Sequence, residues 1–137
     1  MTIRFWDLST ARLLASQLDH EWYTSSVAWK PDGSLLASGS LDETIRLWDS
    51  TTFTCLHSFG HHLDWIRCLS WHPTRPVLIC GCKDGQIWMW DVEQGQVIGT
   101  IKAHQASIVS IAWCPDGHSF ASASEDRTIH LWDVEGE

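Results

Sequence analysis

Residues 2–7 read TIRFWD, residues 44–49 TIRLWD, residues 86–91 QIWMWD and residues 128–133 TIHLWD. Each copy begins 42 residues after the one before it. A strand-length phrase returning at constant spacing marks a chain built from one repeated unit, and that period has to be recognised before any single motif is read. Other residues keep the same beat: Trp29, Trp71 and Trp113; His20, His62 and His104; Pro31, Pro73 and Pro115; Asp42, Asp84 and Asp126. Seven of the ten tryptophans fall in register, which leaves Trp22, Trp65 and Trp88 to be explained otherwise.

Within one unit, "SSVAWKPDGSLLASGSLDETIRLWDS", an apolar stretch ends at Trp29 and a Pro-Asp-Gly turn follows. A second apolar stretch, a turn at residues 41–43, "TIRLWD" and a looser "FTCLHSF" complete it. Asp-Gly punctuation between β-rich runs is hairpin chemistry. No segment carries a 3.6-residue apolar stripe over ten residues. The reading is four short antiparallel strands per unit, here called a, b, c and d.

Composition narrows the class. The chain has 137 residues with 19% charged and 44% hydrophobic side chains, a globular balance. At that length about 68–70% of the unfolded surface can be buried. The net charge is -8 and the nine Lys and Arg are scattered singly, so no nucleic-acid backbone is expected as a partner. Nothing resembles a secretory signal, and no apolar run approaches the ~18 residues of a membrane helix, so no membrane partner is expected. Five cysteines cannot all pair within one chain. A cytoplasmic or nuclear setting, not a secreted one, is the expectation.

On these marks the sequence resembles the WD40-repeat family, whose period of about 40–45 residues, Gly-His and Trp-Asp dipeptides and four-stranded propeller blades all fit. The Gly-His dipeptide departs from pattern: the positions hold Asp19-His20, His61-His62 and Ala103-His104. The resemblance implies a hydrogen-bonded tetrad of His, Ser or Thr, Asp and the Trp of Trp-Asp. By position these are His20, Ser38, Asp42 and Trp48 in the first unit, and His104, Ser122, Asp126 and Trp132 in the third. The second offers His62, Asp84 and Trp90 with Cys80 in the hydroxyl position. Ser40 and Ser124, two residues along the same strand face, stay open as alternatives.

Ser, His and Asp in one network are also the parts of a nucleophilic triad. A catalytic centre does not recur in every repeat with its nucleophile lost in one, whereas buried polar groups must be paired wherever they recur. No catalytic residue is assigned, and the chain is read as not an enzyme. Cys80-x-Cys82 beside His61, His62 and His72 could suggest zinc. The cysteines nevertheless fall in register with Ser38/Ser40 and Ser122/Ser124, and no second Cys pair lies at finger-like spacing. No metal and no cofactor is expected.

The strand count is c-d, a-b-c-d, a-b-c-d, a-b-c. The expected architecture is all-β: an incomplete ring of about three WD40 blades over residues 1–137, with repeats near 8–49, 50–91 and 92–133 and an extra strand at 1–7. Rings usually close with about 4–8 blades. Two expectations follow: the chain is a fragment or isoform of a larger propeller, or it self-associates by exchanging the strand between Leu8 and Leu18.

WD40 resemblance implies a non-catalytic scaffold or adaptor that binds other proteins, often through the surface formed by d–a loops and b–c turns. The out-of-register aromatics Trp22, Tyr23 and Trp65 fall there, as do Leu41, Lys83 and Glu125 before each turn Asp, and these six are the expected partner-binding residues. Trp88, in the slot of Arg4, Arg46 and His130, is expected to pack. Residues 71–90 are also similar to a repeat of the angio-associated migratory cell protein family, which has a fungal member dedicated to chaperoning a ribosomal protein. That similarity implies a chaperone-like alternative with a basic ribosomal partner. The Arg that marks many cullin-ligase receptors two residues after Trp-Asp is replaced by Ser9, Thr51, Glu93 and Glu135.

Overall fold

The computed structural model describes residues 1–60 and 64–134. Among the described residues thirteen strands form four sheets in chain order. The first sheet holds β1 (Ile3–Asp7) and β2 (Arg12–Gln17). The second holds β3 (Thr24–Trp29), β4 (Leu35–Ser40), β5 (Ile45–Asp49) and β6 (Cys55–Phe59). The third holds β7 (Ile66–Trp71), β8 (Val77–Cys82), β9 (Gln86–Asp91) and β10 (Gln96–Lys102), and the fourth β11 (Ile108–Trp113), β12 (Ser119–Ser124) and β13 (Ile129–Asp133). Each strand pairs antiparallel with the next inside its sheet. The fold is all-β, two whole blades flanked by a two-stranded and a three-stranded sheet, and the ring is not closed. Among the described residues no helix is long and apolar enough to cross a membrane.

The repeated phrase makes the third strand of a blade for two reasons. Its residues alternate between two covered faces: Ile45 and Leu47 are buried on one, and Trp48 is buried on the other beside Arg46, which pairs with Asp19 at 2.6 Å. Its closing Asp then stops the strand by an Asx turn. Asp49 Oδ1 accepts the N–H groups of Thr51 (2.7 Å) and Thr52 (2.9 Å), and Asp91 Oδ1 those of Glu93 and Gln94 (both 3.0 Å). Asp7 does the same for Ser9 and Thr10 at 2.8 and 3.2 Å. The turn between the first two strands is capped by Asp32 and Asp116 in two blades. The third sheet has Thr74 and Arg75 there instead of Asp-Gly. His72 takes over, its Nδ1 accepting the N–H groups of Thr74 (3.1 Å) and Arg75 (3.0 Å) while Nε2–H donates to the Gly117 carbonyl (3.0 Å).

Apolar layers join the sheets. Ala37, Ile45 and Leu47 pack with Ile66, Leu69 and Trp71 between the second and third sheets. Ile79 and Ile87 pack with Ile108 and Ile111 between the third and fourth. Ile3 and Phe5 meet Leu36 and Trp48 where the first sheet joins the second. Trp71 Nε1–H donates across to the Ala28 carbonyl (2.8 Å), and the Trp113 N–H to Ser70 Oγ (3.1 Å). Trp88 packs against the layer between the second and third sheets.

Candidate functional site: a polar cluster under an aromatic rim

In the second sheet, β4, β5 and the loop before β3 bring four side chains together. His20 Nδ1 faces Asp42 Oδ2 at 3.0 Å, and an ionised carboxylate only accepts, so Nδ1 carries the proton. His20 Nε2 then accepts from Ser38 Oγ–H at 2.7 Å, and Ser38 Oγ accepts from Trp48 Nε1–H at 2.9 Å. Burial disfavours the imidazolium and pushes the His20 pKa down despite Asp42, in keeping with a neutral ring. Burial opposes ionisation of Asp42, yet hydrogen bonds from Thr44, His20 and the Glu21 N–H outweigh it and hold the carboxyl below its ordinary range. Ser40 is placed otherwise: its hydroxyl donates to the Tyr23 carbonyl (2.8 Å) and accepts the Asp42 N–H (3.0 Å).

The fourth sheet repeats the arrangement. His104 Nδ1 lies 2.9 Å from Asp126 Oδ2, its Nε2 2.7 Å from Ser122 Oγ, and Trp132 Nε1–H donates to Ser122 Oγ at 2.9 Å. The Thr128 hydroxyl and nearby N–H groups hold Asp126 well below the usual carboxylate range. Ser124 serves the turn, donating to the Ala106 carbonyl (3.1 Å).

The third sheet differs. Trp90 Nε1 is buried with no hydrogen-bond partner among the described residues, as the Cys80 substitution for a hydroxyl dictates. Asp84 takes bonds from the Gln86 backbone N–H (3.0 Å) and side-chain amide (3.3 Å), Gln86 standing where Thr44 and Thr128 stand. His61 and His62 lie outside the described residues. Among those described, no three His, Cys, Asp or Glu side chains are grouped to hold a metal. Cys80 and Cys82 are fully buried, and desolvation pushes the neighbouring Cys68 thiol up to about 12.

These clusters do their work on the loops above them. In each unit the residue before the turn Asp donates its N–H to the loop residue three positions past the histidine: Leu41 to Tyr23 (2.9 Å), Lys83 to Trp65 (3.0 Å) and Glu125 to Ser107 (2.9 Å). Two adjacent units thereby present aromatics side by side. Trp22 and Trp65 meet edge to face, with ring centroids 5.5 Å apart at 80°, and Tyr23 lies 6.2 Å from Trp22. The Lys83 ammonium sits 4.0 Å above the Trp65 ring. Beside them Glu21, Leu41, Asp42 and Glu43 complete a pocket of about 350 Å³. Glu43 holds the left-handed φ of +72° at the turn position where the next unit has Gly85. Of the six rim residues read from the sequence, five lie together. Glu125 lies one unit along and faces Arg67 at 3.9 Å. Sequence reading missed Glu21 and Glu43, whose only signal was adjacency to the repeated His and Asp.

Sheets of this order and a 42-residue period define a WD40-type β-propeller. The chain belongs to the propeller family whose model is described as IFT140 first beta-propeller, which matches residues 19–137. Among solved structures it is similar to a chain of the "Crystal Structure of Mitotic Checkpoint Complex", with a TM-score of 0.87 and 30% identity over 96% of this chain. The alignment spans 40% of the length of that chain. Solved chains that match number 1257, so the likeness identifies the fold and selects no partner. No curated protein sequence matches.

Proposed function

We propose that this chain is a non-catalytic protein-interaction platform whose contact surface is the rim formed by the d–a loops and b–c turns, in a cytoplasmic or nuclear setting. The observation that carries this reading is the Trp22–Trp65 pair beside Glu21 and Glu43: an exposed Trp22 set edge to face on a partly buried Trp65, next to carboxylates. Exposed Trp and Tyr are the residue types that dominate binding hot spots. Lys83 over the Trp65 ring is an intramolecular contact of the kind this reading invokes, and it supports it. A basic, Arg- or Lys-containing segment of another protein fits that surface best, and a basic ribosomal client would be one partner of this class. The tetrads support no hydrolytic alternative, because Ser38 and Ser122 are buried and each accepts an indole N–H.

The test is titration with matched basic and acidic peptides, read by tryptophan fluorescence, on the wild-type chain and on Trp22→Ala. Salt-sensitive binding of basic peptides that the substitution abolishes, with the unfolding midpoint unchanged, supports the reading. Equal binding of acidic and basic peptides, or binding indifferent to Trp22, refutes it.

A further inference from the structure

The rim pocket is built more narrowly than a basic partner alone requires. Its lining sets the carboxyl groups of Glu21, Asp42 and Glu43 around Trp22, Trp65 and Leu41. Asp42 is already committed. Its Oδ1 accepts the Thr44 N–H and hydroxyl, and its Oδ2 faces His20 Nδ1 and accepts the Glu21 N–H. Glu21 and Glu43 differ: among the described residues neither carboxylate has a hydrogen-bond or ion-pair partner. Their main chains are nevertheless fixed, the Glu21 N–H by Asp42 Oδ2 at 3.0 Å and the Glu43 N–H by the Ser40 carbonyl at 3.2 Å. Two uncommitted carboxylates therefore stand at one pocket on a backbone ordered before any partner arrives.

This charge belongs to one unit and not to the repeat. The turn residue equivalent to Glu43 is Gly85 in the third sheet and Arg127 in the fourth, and the three share left-handed φ values of 72°, 84° and 73°. Directly after the anchored histidine, Glu21 has Gln105 as its counterpart beside the fourth sheet. The two indoles are unequal as well. Trp65 already has the Lys83 ammonium 4.0 Å from its ring centre, and Lys83 is not part of the pocket lining. A second cation on that ring would be repelled by the first, so Trp22, 44% exposed, is the ring left for a partner.

We propose that this pocket takes an arginine side chain in preference to lysine, with Trp22 as the stacking surface and Glu21 and Glu43 receiving its N–H groups. The proposal rests on the reading of the rim as a surface for basic segments. A guanidinium is planar and presents five donors in a fixed fork, so it lies on an indole and reaches carboxylates at its edge at the same time. An ammonium is a compact, strongly hydrated charge with no flat face, and it gives up one of these contacts to make the other. Trimethyl-lysine keeps the charge but has no N–H to donate, so it leaves both carboxylates unmatched.

The experiment is titration of the whole chain with peptides of one Gly-Ser frame that carry Arg, Lys or trimethyl-Lys at the same positions, read by tryptophan fluorescence. The Arg peptide should bind tighter than the Lys peptide by about tenfold, the size of one charge-assisted hydrogen bond. Glu43→Gly tests the carboxylate without threatening the fold, because glycine is the easier residue at a φ of +72°. It should bring the Arg peptide down to the Lys value with the urea midpoint unchanged or raised, and Glu21→Gln should narrow the gap in the same direction. Equal binding of Arg and Lys peptides, still salt-sensitive and lost in Trp22→Ala, overturns the arginine preference and leaves the rim reading standing. Tighter binding of trimethyl-Lys than of Arg overturns it too, in favour of a purely aromatic cage. An Arg preference intact in both carboxylate variants overturns the roles given to Glu21 and Glu43. Absence of salt-sensitive, Trp22-dependent binding by every peptide brings down the rim reading along with the proposal.

Discussion

Replacing Ser38 by alanine isolates what the polar cluster contributes, because the third sheet supplies its own control. The hydroxyl is fully buried and holds two buried partners, His20 Nε2 at 2.7 Å and Trp48 Nε1 at 2.9 Å. Removing it changes volume little but strands an acceptor and a donor where water does not reach. An unsatisfied buried group costs about 1–3 kcal/mol, so two bring the loss to about 2–5 kcal/mol. The lower half of that range is expected, since Trp90 already endures an unpaired N–H. Cys80→Ala removes a buried atom at the equivalent position without unpairing Trp90. It should cost on the order of 1 kcal/mol, from packing alone. Urea unfolding followed by tryptophan fluorescence compares the two midpoints at equal slope. If Ser38→Ala is no more destabilising than Cys80→Ala, the hydroxyl is not holding the cluster and the account given for all three units fails.

Acid should weaken the fold in two stages. The pKa of His20 is pushed below 6.5 by burial, as is that of His72, so the unfolded chain takes up protons that the folded one refuses; stability is full above about pH 6.5 and falls as pH drops through that value. Asp42 and Asp126, held below 3.8, add stability that is present above that pH and lost beneath it. Thermal melts should therefore be level above neutrality, decline below about pH 6.5 and steepen below about pH 4; a melting temperature that rises between pH 7 and pH 5 contradicts the assignment. At the sheet contact, Gly81→Ala would set a methyl 2.6 Å from Ile108 Cγ2 and 2.7 Å from Cys68 Sγ, an overpacking cost of about 1–3 kcal/mol. Gly99→Ala, whose nearest neighbour is Met89 Sδ at 3.9 Å, should stay within about 0.5 kcal/mol by the same urea assay.

The period alone carried the strand order, including the two-stranded sheet at one end and the three-stranded one at the other, because turn chemistry and alternation are local properties. What stayed hidden depends on neighbours. Ile45 and Ile129 are the same residue in the same phrase, yet one is sealed and the other bare, since their burial is decided by whether another sheet lies above. The role of His72 as a turn cap was not read from the sequence, although the missing Asp-Gly at residues 74–75 signalled that the turn needed another cap. Trp88 reads as an intrusion in a slot that elsewhere reaches the loops, where Arg46 pairs with Asp19 at 2.6 Å and His130 stacks on His104 at 4.4 Å. It was read as a packing residue, and it does join the apolar layer between the second and third sheets.

Under the proposed function, the rim joins stability to recognition. Three equivalent backbone bonds tie turn to loop at Leu41–Tyr23, Lys83–Trp65 and Glu125–Ser107, and in the second and fourth sheets the histidine just upstream of each loop is anchored to the turn aspartate. The main chain at these positions is therefore the same in every unit, while the side chains are not: Tyr, Trp and Ser on the loops, Leu, Lys and Glu on the turns. A scaffold that fixes the backbone and frees the side chain confines variation in binding to those six places, and the two aromatic loops are adjacent. This juxtaposition makes Trp22 and Trp65, rather than the buried histidines and serines beneath them, the residues through which this chain should meet a partner.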